Sequence, residues 1–268
     1  MPAPSEGRLV SLIVDTLEGT IDRVAVAIER IQTFVPEEGY YVAFSGGKDS
    51  QVVLDLVERS GVKFDAHMNL TTVDPPELLR FVREHYGRVT LERPDTSMYE
   101  LIVKKRIPPT RMVRYCCEAL KERGGHGRIV VTGIRWAESS RRGQRRMTES
   151  CFKDGSKTFL HPIIDWADED VWEYLNGHGL PHCSLYDEGK KRVGCVMCPF
   201  NHRKMQAEAD RWPKFAAMYE RACVAAFDKA VVDGLERRTW KDGHDMYQWW
   251  LTGCAADSTD PQLFPMDN

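Results

Sequence analysis

A chain of 268 residues, 42% hydrophobic and 29% charged, is long enough to bury roughly 70 to 75% of its unfolded surface, so it needs neither a disulfide nor a metal merely to fold. No apolar run approaches the roughly 20 residues of a membrane span, and the start, MPAPSEGRLV, lacks the basic and apolar parts of a signal peptide; the expected setting is cytoplasmic, with no membrane partner. A net charge of −3 argues against indiscriminate nucleic-acid binding while leaving room for a local basic patch.

From the N-terminus, Val10, Val14, Leu17, Ile21, Val24, Ile28 and Ile31 recur in steps of four and three, which predicts one amphipathic helix of about seven turns. The seam has two uses, docking on the chain's own core or pairing in a homodimer, and Gly19 weakens it as a free coiled coil. After Pro36 and Gly39, the apolar run YYVAFS ends in glycines and is followed by helical spacing at Val52, Val53, Leu56 and Val57. The alternation continues with a strand over 62–70, a helix over 75–86, a strand over 88–92, a helix over 97–105 and the strand RIVVTGI over 128–134. Strands alternating with helices of about ten residues predict an α/β fold: a Rossmann-like, doubly wound, mainly parallel sheet with ligands beyond its carboxyl ends. Further on, a strand over 158–164, a helix over 168–175 and a helical, Trp-rich C-terminal part complete the reading. The expected segments are an N-terminal helix over 1–37, a nucleotide-binding domain over 38–202, a helical extension over 203–255 and a tail over 256–268.

Ser45-Gly46-Gly47-Lys48-Asp49-Ser50 falls between a predicted strand and a predicted helix. Unhindered amides, a helix N-terminus and a lysine then converge where a pyrophosphate binds. Its glycine spacing is neither that of the Walker loop nor that of the dinucleotide fingerprint; it resembles the PP-loop of ATP pyrophosphatases.

Eight cysteines are unevenly placed. Cys116 and Cys117 are adjacent, and Cys195-Val196-Met197-Cys198 follows about eighty residues later. Four such thiolates suit an iron–sulfur cluster or zinc, and the adjacent pair favours the cluster, because neighbouring side chains reach different irons more easily than they complete one small tetrahedron. Cys151, Cys183, Cys223 and Cys254 lack partners at ligand spacing and read as ordinary thiols. Arg135, Arg141, Arg142, Arg145 and Arg146 crowd one segment after Thr132-Gly133, an expected clamp for a substrate phosphate or a nucleic-acid backbone. Arg111 and Arg114 are candidates to join it, and Asp74 is expected to close a turn or cap a helix.

The order of SGGKDS, the Cys-Cys pair, TGIRWAES, HPIIDWADEDVW and LYDEGKKRVGCVMCP resembles the phosphoadenosine phosphosulfate reductase family of adenine-nucleotide α-hydrolases over about 38–202. The resemblance implies the fold above, an adenine nucleotide at Ser45, Gly46, Gly47, Lys48, Asp49 and Ser50 with Gly133, Arg141 and Arg142 nearby, and a [4Fe–4S] cluster on Cys116, Cys117, Cys195 and Cys198. The chain departs from the reductases at its end. Their Glu-Cys-Gly-(Leu or Ile)-His motif is missing, and Cys254 stands in Thr-Gly-Cys-Ala-Ala with no neighbouring cation to lower its pKa. An intact Lys48 suits charge building on a departing pyrophosphate, so ATP with Mg2+ is the expected substrate. Members with both an intact loop and four cysteines include the DNA phosphorothioation sulfurtransferases, and the chain's resemblance to them implies Lys48, Asp49 and Arg135 as catalytic groups, a nucleic-acid acceptor and a cysteine desulfurase as sulfur donor. The alternatives are an adenylyl-sulfate reductase and a non-catalytic nucleotide-binding iron–sulfur subunit.

Overall fold

A computed structural model of the chain describes residues 11–16, 19–151, 155–235 and 239–252. Its strands are β1 (Ile13–Thr16), β2 (Gly19–Asp22), β3 (Tyr40–Ala43), β4 (Phe64–Asn69), β5 (Thr90–Glu92), β6 (Ile129–Val131), β7 (Thr148–Ser150) and β8 (Thr158–Leu160). Its helices are α1 (Arg23–Thr33), α2 (Lys48–Arg59), α3 (Pro76–His85), α4 (Met98–Lys105), α5 (Tyr115–Leu120), α6 (Asp168–Gly177), α7 (Met205–Arg211), α8 (Pro213–Val232) and α9 (Gly243–Thr252). They fall into two compact units that interleave along the chain, one comprising 1–69, 76–92 and 124–193, the other 70–75, 93–123 and 194–268.

The first unit holds a six-stranded sheet in the order β5-β4-β3-β6-β8-β7. Its pairs are parallel except the edge pair β7–β8, so the expected α/β class and mainly parallel sheet are the observed ones. The chain runs from β3 outward through β4 to β5 and then returns to place β6 on the other side of β3. That reversal leaves a crevice at the carboxyl ends of β3 and β6, the position where open α/β sheets take their ligands. β3 is apolar because both its faces are covered: Tyr40, Tyr41 and Val42 are buried, as are Val52, Val53, Leu54, Leu56 and Val57 of α2.

The single N-terminal helix is corrected. Val10 and Leu17 lie outside the described residues; in the rest of the seam β1 and β2 pair antiparallel, with Val14 opposite Ile21. The helix starts only at Arg23, where the Asp22 carboxylate accepts the Val24 and Ala25 amides and Gly19 upstream sits at φ +126°, a conformation no helix contains. Val24, Ala27 and Ile31 form the buried face of this shorter helix. The strand β7 and the short helix α5 carry too little periodicity to be read from sequence.

The second unit packs α8 against α4 and α9. Ser97 caps α4 by a reciprocal hydrogen-bond pair with Glu100. Gly243 is required because an added Cβ would fall 2.3 Å from Val224 Cα. The Trp250 indole N–H donates to the Pro109 carbonyl at 2.6 Å. Among the described residues no helix is long and apolar enough to cross a membrane.

Candidate functional site

The loop from Ser45 to Ser50 joins β3 to α2 at the crevice. Gly46 adopts φ +72°, which favours glycine, and an added Cβ would lie 2.6 Å from a Leu78 methyl and 2.8 Å from a Val82 methyl, which would have to give way. Ser50 is used within the loop: its hydroxyl donates to the Gly47 carbonyl at 2.8 Å and accepts the Ser45 amide at 3.2 Å. Gly133, at the end of β6, allows that strand to meet the first turn of α2, since a Cβ there would stand 2.9 Å from the Asp49 carbonyl.

Lys48 is buried at the start of α2, its side chain 3% exposed, and its ammonium pairs with Asp49 at 3.2 Å and Asp168 at 2.9 Å. Arg135 is buried as well, 1% exposed, and its guanidinium binds Asp49 at 2.6 Å, Asp168 and the Trp166 carbonyl. Burial works against the charge of Arg135, but the two carboxylates more than offset it and raise its pKa. Desolvation pushes the Asp168 carboxyl up, yet Lys48 and Arg135 hold it below the usual carboxylate range. Asp168 remains 58% exposed on its side chain. Tyr186 completes the arrangement, its hydroxyl oxygen accepting the Lys48 amide at 2.9 Å, the kind of donor a phosphate oxygen takes. Burial pushes the Tyr186 hydroxyl up to about 12, and the ring stands edge-on to Trp172 of α6 at 5.2 Å.

The arginine segment is more compensated than its sequence implies. Arg142 pairs with Glu138, which also faces Arg192 at 3.3 Å, and Arg145 pairs with Glu149 at 2.6 Å. Arg141 and Arg146 are exposed. Arg135, placed in the clamp by its sequence position, is instead locked behind Asp49 and Asp168.

Cys116, Cys117, Cys195 and Cys198 come together in the second unit. The first two open α5, while the other two flank a turn in which Met197 takes φ +55° and donates its amide to Glu208 at 2.7 Å. The Val196 amide bonds to the Val73 carbonyl at 2.8 Å, and the Cys195 thiol lies 3.4 Å from the Thr71 hydroxyl. Asp74 closes the adjacent turn by accepting the Thr71 amide and hydroxyl. The Cys117 thiol is shifted down to about 6, chiefly by its hydrogen bond with Cys116, with Lys121 and Arg114 adding to the effect; the Cys116 thiol is shifted up by the same bond and by burial. Lys121 holds its proton more tightly because Cys195, then Cys198 and Cys117, act on its ammonium. Among the described residues no three His, Cys, Asp or Glu side chains meet at the distances of one metal ion; Cys117, Cys195 and Cys198 share the Lys121 ammonium, and four soft donors of this kind suit a sulfur-bound centre. Cys183 and Cys223 are buried, Cys151 is half-buried, and Cys254 lies outside the described residues.

Asp168 and Tyr186 lie within the phrases HPIIDWADEDVW and LYDEGKKRVGCVMCP that carry the resemblance, but neither they nor Lys121 were expected as site residues. Asp168 and Tyr186 stand 120 and 138 positions from Lys48, and only the fold brings them to it. Lys121 follows the cysteine pair closely enough for its spacing to have been a signal.

A glycine loop at the switch point of a parallel sheet, with a buried lysine at a helix N-terminus, defines an α/β domain of the nucleotide-binding type. The chain belongs to the phosphoadenosine phosphosulfate reductase domain family, which matches residues 39–201, more than half its length. The adenosine 5'-phosphosulfate reductase of Allochromatium vinosum is 28% identical over 212 residues, covering 72% of this chain and 80% of that protein. An uncharacterized protein of Methanocaldococcus jannaschii is 30% identical over 204 residues, 70% of this chain but 42% of the relative, so the chain spans less than half that protein's length. A crystal structure of phosphoadenylyl-sulfate reductase from Candida auris, in phosphate complex, aligns over 64% of this chain and 89% of that one at 18% identity and a TM-score of 0.49.

Proposed function

We propose that the chain is an ATP-dependent sulfurtransferase that cleaves ATP between its α and β phosphates and delivers sulfur to a nucleic-acid backbone. Lys48 carries this reading: a buried ammonium at a helix N-terminus, counter-charged by Asp49 and half-exposed Asp168, is suited to charge accumulating on a departing pyrophosphate. An acceptor phosphate oxygen attacks the α-phosphorus and pyrophosphate leaves. Persulfide sulfur from a cysteine desulfurase, reduced by a second thiol, then replaces the adenylylated oxygen, and AMP departs with it. In this scheme Lys48 and the Gly46 and Gly47 amides hold the pyrophosphate, and Asp49 and Asp168 receive Mg2+. Arg135 acts as a positioning residue for both carboxylates, and Arg141 with Arg142 meets the acceptor. Cys116, Cys117, Cys195 and Cys198 would hold a [4Fe–4S] cluster, which supplies a sulfur-rich centre when bound.

A second reading, reduction of adenylyl sulfate, is favoured by the names of relatives such as that from Allochromatium vinosum. One experiment separates the two: pyrophosphate and AMP release from ATP, measured beside sulfite release from adenylyl sulfate, on anaerobically purified chain. ATP cleavage that falls by about 10²- to 10³-fold in Lys48→Ala supports the first. Sulfite release without ATP cleavage overturns it in favour of the second.

A further inference from the structure

Beside the phosphate loop runs a hydrogen-bonded line of side chains that the proposed chemistry does not use. Thr132 directly follows β6, at the crevice where β3 delivers the loop, and its neighbour Gly133 lies against the backbone of Asp49. The Thr132 hydroxyl is 2.7 Å from Nδ1 of His161. His161 follows β8 and is fully buried, and its Nε2 faces Glu149 of β7 at 3.3 Å. Glu149 is paired in turn with Arg145 at 2.6 Å.

The protons on this line have one consistent arrangement. The Glu149 carboxylate, paired with Arg145 and facing Nε2, only accepts, so His161 carries its proton on Nε2 and presents a bare Nδ1. Thr132 must then donate its single O–H to His161, which leaves only lone pairs directed elsewhere. Burial lowers the proton affinity of His161; Glu149 opposes this while Arg145 and Arg142 add to it, and the net shift is downward. The imidazole is therefore neutral near pH 7, and the arrangement persists there.

We propose that Thr132 is a specificity-determining residue that accepts a hydrogen bond from a ribose hydroxyl of the bound nucleotide, with His161 as the positioning residue that keeps it an acceptor. This rests on nucleotide binding at the loop. Phosphate oxygens also only accept, so an acceptor-only hydroxyl repels them. Among the donors on the nucleotide, the ribose hydroxyls are nearer the phosphates than the adenine amino group is. Neutral hydrogen bonds of this kind discriminate by roughly three- to tenfold.

The test is calorimetric binding of ATP, 2′-deoxy-ATP and 3′-deoxy-ATP with Mg2+ to the full chain, its isosteric Thr132→Val variant and Thr132→Ser. The wild type is expected to bind ATP about three- to tenfold more tightly than at least one deoxynucleotide. The ratio should fall to about one in Thr132→Val and persist in Thr132→Ser, and in His161→Phe, which frees the Thr132 O–H to donate, it should also fall. Equal binding of all three nucleotides by the wild type, or an unchanged ratio in Thr132→Val, overturns the inference while leaving the nucleotide site intact. No binding of ATP or adenylyl sulfate at all overturns the reading on which it rests, and the inference with it.

Discussion

At the phosphate loop, Lys48 and Arg135 share two carboxylates, Asp49 and Asp168, and a tyrosine hydroxyl already occupies the Lys48 amide. Around the four thiols of the second unit the balance runs the other way: cysteines act on one another as like charges, with Lys121 and, at Cys117, Arg114 as the cations beside them. A buried cation without a partner costs several kcal/mol, and Asp49 and Asp168 spare Lys48 and Arg135 that cost; on the proposed reading they are counter-ions that an incoming phosphate replaces. Thiolates crowded together instead favour any positively charged soft centre that arrives. On the proposed reading, one region exchanges partners and the other keeps one.

The largest expected effect tests the second half of that contrast. Cys195→Ser should reduce bound iron from about four atoms per chain to near zero and remove the brown colour of anaerobically purified protein; unchanged iron would remove the cluster assignment. Next is the rigidity of the loop. Gly46→Ala must place a methyl against Leu78 and Val82 at φ +72°, so denaturant melts should show a loss of about 1–3 kcal/mol, whereas a loss below about 0.5 kcal/mol would mean that the loop yields.

A smaller effect probes the exchange itself. Asp168→Asn removes a half-exposed competitor for Lys48, and ATP binding without Mg2+ should tighten by about two- to fivefold; weaker binding would show that Asp168 supports the nucleotide instead of standing in for it. Smallest is the arginine segment. Arg141 is exposed whereas Arg142 is held by Glu138, so Arg141→Ala should lower the salt slope of nucleic-acid binding by about 0.7–0.9 and Arg142→Ala by less. Equal slopes in both variants would undo that distinction.

Much of the fold could be read because α2, α3 and α4 each bury one regular face, and because β3 is apolar enough to require cover on both sides. The N-terminal segment could not. Its four-and-three spacing also suits a short hairpin running into a helix, and the Asp22 cap decided between them through hydrogen bonds that periodicity does not register. The arginine segment was legible only in part for a related reason. A run of cations does not show which of its members the fold pairs with Glu138, Glu149, Asp49 and Asp168.

By itself the sequence determined the elements whose physics is local: the glycine loop that opens α2, the alternation that makes a parallel sheet, and the pairs Cys116–Cys117 and Cys195–Cys198. Only the tertiary structure decided which distant groups complete the sites, bringing Asp168 and Tyr186 to Lys48 and His161 between Thr132 and Glu149. Side-chain chemistry and short-range periodicity are written in neighbouring residues. Counter-ions and hydrogen-bond partners from 12 to 138 positions away are chosen by strand order, which no local pattern contains.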